Sequence, residues 1–390
     1  MNKLKRVFSG TGFSSCLASI ASIVAGLLVG LALLFAFNAP FALQGFRQIL
    51  TTGFGSLDKL AKVLYQAAPL IFTGLSVGFA FKTGLFNIGA TGQYTVGAFC
   101  ALVAVIQFRL PWYAGLFAAM IGGAVWGSIP GLFKAQFNVN EVITSIMFNW
   151  IGLFAVNLAL NNMPMMLNNF WGGVNKDRTG PLAVANPDGI LPRAGLDELM
   201  HSNYMNIGIF IAIAAAVIIW IVLSKTTFGY ELKACGYNRS ASTYAGINAK
   251  RNIVLSMVIA GALSGIGGGI YYLSGTAQYT LVKSLLATGF NGIPVALLAS
   301  SHPLGTVFSG LFISYIQVGG DAMQPEFVKE IIDIIISAII YLAAFALLMR
   351  TLIGKLLKPK EAEALPAATN GGSEAASETA ENKESEARNQ

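Results

Sequence analysis

The sequence predicts an all-α polytopic membrane protein of about ten transmembrane helices, and three observations carry that prediction. First, 55% of the 390 residues are hydrophobic and only 11% are charged, with a mean hydropathy of +0.64; soluble domains run at roughly 25% charged. Second, the apolar residues gather in runs near twenty residues, the length a helix needs to cross about 30 Å of hydrocarbon. Third, the basic residues fall unevenly on the two sides of those runs, as expected of cytoplasmic loops.

Taken in order, the runs lie near 17–38, 61–81, 89–108, 112–133, 142–162, 203–223, 252–273, 285–300, 304–320 and 329–349. The first follows Lys3, Lys5 and Arg6, and its apolar core of about 22 residues exceeds that of a cleaved signal, so it reads as a retained anchor. With ten spans and both termini cytoplasmic, 14 basic residues that flank the spans lie inside, among them Lys82, Lys134, Lys225, Lys233 and Arg251, not counting those further along the tail. The outer face then holds 9, most of them sharing loops with acids such as Asp58, Asp177 and Asp321. Spans one to five start inside and six to ten start outside, so the two halves are inverted if they are repeats. Inverted halves place a substrate path at their interface.

Residues 1–358 thus form the transmembrane domain. Within it, 164–202 is a long external loop rich in Asn, Pro and Gly, which fits either a docking surface or a disordered or amphipathic insertion. Residues 225–251 form a cytoplasmic segment. The tail 359–390 is Glu, Ala, Ser and Asn with few bulky apolar residues, and is expected to be disordered. Of the 18 acids, 7 lie in the last 31 residues, so residues 1–359 carry a net charge of +11. That balance follows from membrane topology and calls for no nucleic acid.

Several chemistries are disfavoured. Cys16, Cys100 and Cys235 match neither a disulfide framework nor a zinc spacing, and two histidines make a metal enzyme improbable. There is no phosphate-loop motif, so the chain is not its own P-loop ATPase. No charged residue falls at the centre of a span, which lowers the odds of an ion-coupled carrier, the alternative from a different class.

Three stretches carry more detail. Gly123, Gly127 and Gly131, and again Gly261, Gly265 and Gly269, recur at four-residue spacing and make flat stripes suited to close helix packing. Thr83 to Gln93 interrupts apolar sequence with glycines and small polar residues. It fits either a broken helix lining a wet path or a turn capped by Asn or Thr. After the sixth run, a helix ending at Gly236 is followed by Asn238 as N-cap of a two-turn helix, Arg239 to Ala245, closed by Gly246. Its small face at Ala241 and Ala245, beside Tyr244, fits a cleft in a soluble partner or a membrane-surface connector equally well.

Four blocks in order, GLFNIGATGQ (84–93), VNEVITSIMFNW (139–150), FGYELKACGYNRSASTYAGIN (228–248) and TGFNGIPVALLASSHPLG (288–305), resemble permease subunits of bacterial ABC importers. The class is that of ribose and branched-chain amino-acid permeases, within it the nucleoside and simple-sugar branch. The resemblance implies a non-enzymatic, multi-pass subunit of the cell membrane that imports nucleosides, or else a simple sugar such as ribose. It implies a second permease subunit, a cytoplasmic ABC ATPase and an extracellular substrate-binding lipoprotein as partners. ATP and Mg would be used by the ATPase, with no cofactor on this chain. By the same resemblance Phe86, Asn87, Gln93, Asn149, Phe290 and Asn291 lie near the translocation path. Gly236, Asn238, Ala241, Tyr244, Ala245 and Gly246 correspond to the coupling helix that docks on the ATPase. Thr91 and Asn291 depart from the pattern, since relatives often carry an acid at the first and Asp at the second.

Overall fold

The computed structural model describes residues 11–344, and every regular element among them is helical. Lys3, Lys5, Arg6, the basic cluster at 350–360 and the expected tail 359–390 lie outside the described residues. In chain order the helices are α1 (Thr11–Asn38), α2 (Ala42–Thr51), α3 (Leu57–Lys82), α4 (Ala90–Leu102, continued by a π turn to Gln107), α5 (Trp112–Phe137) and α6 (Glu141–Asn161). Two short helices follow, α7 (Leu182–Ala185) and α8 (Leu196–Met200), then α9 (Gly208–Lys225), α10 (Thr227–Tyr237), α11 (Arg239–Tyr244) and α12 (Ala249–Leu273). The chain continues through α13 (Ala287–Phe290), α14 (Gly292–Leu298), α15 (Pro303–Asp321) and α16 (Lys329–Ala344).

Local sequence sets the helix starts. Ser56, Asn140, Thr226, Asn238 and Asn248 each accept a backbone N–H of the first turn, satisfying donors that have no partner inside the helix. The α5 helix ends where Asn138 enters the left-handed region at φ 53°.

Seven helical stretches among the described residues are long and apolar enough to cross a membrane. The expected eighth span differs: α13 and α14 break at Asn291, and the apolar stretch Ala287–Leu298 is shorter than one continuous spanning helix. The α15 helix has 19 residues but carries Thr306, Ser309, Ser314 and Gln317, which dilute its apolar character.

The centre of the bundle is α3, whose apolar window is 89% buried, with α4 and α12 beside it. In α5, α6 and α9 only 33% is buried, and Ile143, Met147, Ile151, Phe154 and Leu158 on α6 stand outward as a lipid-facing surface. Packing is arranged in two similar sets. The α12 helix lies on α5 and α4, whereas α3 lies on α15 and α14.

The two glycine stripes meet each other. A Cβ on Gly123 would lie 2.3 Å from the Gly261 carbonyl oxygen, and one on Gly97 of α4 would lie 2.3 Å from Gly265 Cα. Lipid is as apolar as a leucine side chain, so helices in a membrane are held by van der Waals contact rather than by exclusion of water. Backbone-to-backbone approach along α4, α5 and α12 maximises that contact.

The segment 164–202 is a folded cap, which overturns its reading as a disordered insertion. Met166, Leu182, Ala185 and Leu191 are buried beneath it. Asn186 donates to the carbonyls of Val105 and Leu110, closing the end of α4, and Leu191 N–H donates to Leu273 O at 2.8 Å. Ser202 reaches Asp58 at the start of α3. The 225–251 segment contacts the other ends of these helices, near Lys82 and Asn252. The cap and the 225–251 segment therefore stand at opposite ends of one bundle.

Candidate functional site

The turn between α3 and α4 is built around two amides. Asn87 Nδ2 donates to Gln93 Oε1 at 2.8 Å and to Ser76 Oγ at 2.9 Å, while Gln93 Nε2 donates back to Asn87 Oδ1 at 3.0 Å. Both amides are fully buried. Asn149 of α6 completes the turn. Its Oδ1 accepts from Gly92 N–H at 2.8 Å and its Nδ2 donates to Ile88 O at 3.1 Å. Phe86 stacks on Phe81 at 5.0 Å. Of the residues expected near a path, these four are spent on holding a broken backbone, which is how irregular chain survives at membrane depth. The segment also touches α13: a Cβ on Gly289 would lie 2.3 Å from Thr91 Cα.

Phe290 and Asn291 form the break between α13 and α14, and Asn291 lines a cavity of about 390 Å³. Gln66 of α3 and Tyr271 of α12 line the same cavity. Polar residues one turn apart on two further helices, Gln317 and Asp321 on α15 and Asp333 and Ser337 on α16, complete its polar lining. Lys62 pairs with Asp321 at 3.2 Å. Of these, only Asn291 was a candidate from sequence. Gln66, Gln317 and Ser337 are neutral, and a search for charge within the spans passes over them. The signal that finds them is the four-residue spacing of polar groups on otherwise apolar helices.

At the opposite end, Thr226 starts α10, which runs through Gly236 to Tyr237 instead of stopping at the glycine. The physical reason is packing: Gly236 lies against the end of α3, where a Cβ would sit 2.9 Å from both Gly84 N and Lys82 O. Asn238 Oδ1 accepts from Ala241 N–H at 3.0 Å and starts α11, and Gly246 closes the turn with φ 84°. Ala241, Tyr244 and Ala245 are exposed, Tyr244 at 94%. A groove of about 530 Å³ runs between α10 and α11, floored by Ala234, Ala241 and Ala245 and bordered by Tyr230 and Tyr237. Glu141, the first residue of α6, pairs with Lys134 at 2.9 Å. That contact adds an ion pair to the stabilisation expected of an acid at a helix start.

A membrane bundle with a polar cavity open to its surface, a folded cap at one end and a helical elbow at the other has the form of a transport component. Comparison with known proteins gives the family. The model of the "Branched-chain amino acid transport system / permease component" family matches residues 59–344, and the chain belongs to that family. It is 36% identical over 352 residues to the guanosine ABC transporter permease protein NupP of Bacillus subtilis (strain 168), covering 88% of this chain and 97% of that one. It is 35% identical over 356 residues to the nucleoside ABC transporter permease protein NupB of Lactococcus lactis subsp. cremoris (strain MG1363), covering 89% and 96%. The glucose ABC transporter permease protein TsgB13 of Haloferax volcanii is 31% identical over 318 residues, covering 79% and 81%. No solved structure matches the chain. The protein is a multi-pass permease component of the cell membrane, a transport subunit rather than an enzyme.

Proposed function

We propose that this chain is the membrane permease of an ATP-driven importer of nucleosides. The observation that carries the proposal is the near end-to-end similarity to the guanosine and nucleoside permeases, 36% and 35% identical over most of each chain. In this reading the chain crosses the membrane ten times with both termini in the cytoplasm. The stretch of α13 and α14 and the helices α15 and α16 supply the spans beyond the seven that length and composition define. The halves are inverted, and the similar packing of α12 on α5 and of α3 on α15 supports that relation.

The partners are a second permease subunit, a cytoplasmic ABC ATPase that binds ATP and Mg, and an extracellular binding lipoprotein that delivers substrate to the cap. ATPase closure moves α10 and α11. Gly236 passes that movement to the end of α3, and thence to the Asn87–Gln93 turn and the cavity. ATP and substrate then bias one two-state bundle from opposite ends, which is the thermodynamic requirement for coupling.

Uptake of labelled purine nucleoside, pyrimidine nucleoside and ribose in cells with and without the gene tests the proposal. Selective loss of nucleoside uptake is expected. Loss of sugar uptake alone overturns it in favour of a simple-sugar permease, the reading that the 31% identity to the glucose permease favours. Uptake that persists without any ATPase but collapses with an uncoupler favours an ion-coupled carrier.

A further inference from the structure

Several buried and half-buried amides elsewhere in the bundle are engaged by the protein itself, although Gln107 Oε1 and Asn157 Oδ1 are, like Gln66 Oε1, without a partner. Asn87, Gln93 and Asn149 hold the α3–α4 turn, Asn157 donates to Val282 O, and Asn186 closes α4. The cavity between α3, α12, α13, α15 and α16 gathers three amides around one space. Gln66 lines it, and its Oε1 is buried without a hydrogen-bond partner, an arrangement that costs free energy unless the amide turns toward a donor in the cavity. Asn291 and Gln317 add two more amides to the same cavity, from the α13–α14 break and from α15.

An aromatic ring lines the cavity beside these amides. Tyr271 stacks on Tyr65 at 5.3 Å with 21° between the ring planes, and the Tyr65 hydroxyl donates to the Tyr271 carbonyl at 3.1 Å. That pairing holds the Tyr271 ring in place. Its volume of about 390 Å³ falls within the range of roughly 300–1,000 Å³ typical of small-molecule sites.

From this we infer that the cavity is a nucleoside-binding station, in which Tyr271 packs against the base and Gln66, Asn291 and Gln317 read its edge. The inference rests on the proposed nucleoside import. The chemistry matches group by group. A base offers a flat π-face and an edge of alternating donors and acceptors, and each amide carries both a donor and an acceptor. Ribose hydroxyls are donors suited to Ser337 and to the carboxylates of Asp321 and Asp333. Asp321 is paired with Lys62 at 3.2 Å, so repulsion of a phosphate rests on the Asp333 carboxylate, and the station favours nucleosides over nucleotides.

The test uses the intact importer in cells with its own binding lipoprotein, labelled purine and pyrimidine nucleosides, and unlabelled nucleotide as competitor. Gln317→Leu and Asn291→Leu are expected to raise KM on the order of tenfold, the effect of losing a hydrogen bond to a substrate edge. They are also expected to change the purine-to-pyrimidine ratio. Tyr271→Phe keeps the ring and should transport as the wild type does, while Tyr271→Leu should lose uptake of every nucleoside. Membrane abundance and co-purification of the ATPase are measured alongside. Gln317→Glu, which keeps the shape and removes the donor, decides the matter if the leucine variants fail to assemble. A wild type that carries nucleosides, with every variant retaining its KM and base ratio, overturns the station and leaves the proposed function standing. A wild type that carries no nucleoside overturns both.

Discussion

Gly84 and Gly236 meet backbone to backbone, where the chain just past the end of α3 touches the last turn of α10. A Cβ on Gly84 would lie 2.8 Å from Gly236 Cα, and one on Gly236 would lie 2.9 Å from Gly84 N. Gly84 also has φ 72°, a conformation that side chains resist. No side chain separates the 225–251 segment from the helix at the centre of the bundle, so movement of one is felt by the other.

Gly236→Ala should therefore weaken this joint by about 1–3 kcal/mol, the usual cost of overpacking. Uptake should fall while membrane insertion persists. Comparison with Gly172→Ala, in the cap, where the surroundings are open and only the backbone penalty at φ 84° applies, separates the joint from a general loss of stability: uptake and substrate-stimulated ATP hydrolysis should drop in the first variant far more than in the second.

Ala245 is exposed beside Tyr244 on the far side of that joint. Ala245→Arg should abolish co-purification of the ATPase without changing the amount of permease in the membrane. A variant that retains the ATPase and transports normally would show that α11 is not the docking surface.

Asn87→Leu removes one half of a mutual amide pair and leaves the buried Gln93 amide without its partner. The expected cost is about 1–3 kcal/mol. Replacing both residues with apolar groups should cost less than the two single changes added together, because no orphaned amide remains. Thermal unfolding of the four forms in detergent measures this as a double-mutant cycle.

Gly265 lies between two helices: a Cβ there would be 2.3 Å from Ala119 O, and one on Gly97 would be 2.3 Å from Gly265 Cα. Gly265→Ala should lower the unfolding temperature more than Gly172→Ala, where φ is 84° but no atom lies within 4 Å. The second change carries only the backbone penalty, about 1–2 kcal/mol.

Tyr279 belongs to the segment beneath the cap, where its N–H donates to Thr179 Oγ1 at 3.1 Å and burial pushes its phenol up to about 12. A raised value means that the folded state holds the proton longer than the unfolded one. Its contribution to cap stability should be full below pH 10 and lost as pH rises toward 12. Proteolysis of the cap followed against pH should show that decline in the wild type and not in Tyr279→Phe.

Much of this architecture is legible from composition. Long apolar runs mark α3, α5, α6, α9 and α12, because a membrane imposes one length and one chemistry on each span. Asn238 and Gly246 are readable as the start and close of α11, because capping is local. What escapes is whatever depends on a distant partner. Gly236 reads as a helix stop, yet its role is set by Gly84, 152 positions away in sequence. The 285–300 run reads as one span, and only the packing of Gly289 on Thr91 and of Gly292 on Thr73 shows why it breaks between them. The cap reads as a loose insertion because its polar residues look like solvent-facing ones, whereas Asn168, Thr179 and Asn186 are buried. Gln66 and Gln317 are single polar letters in apolar runs, and no local rule says that they face the same space.

The seam between α5 and α12 also bears on heredity. Most contacts in a protein core can be repaired after a damaging enlargement, because a second mutation can shrink the residue opposite. Where Gly123 faces Gly261 and Gly265, both sides already carry the smallest side chain there is. An allele that enlarges either side has no second-site suppressor across the interface, so activity should return in revertants only by restoration of the glycine itself.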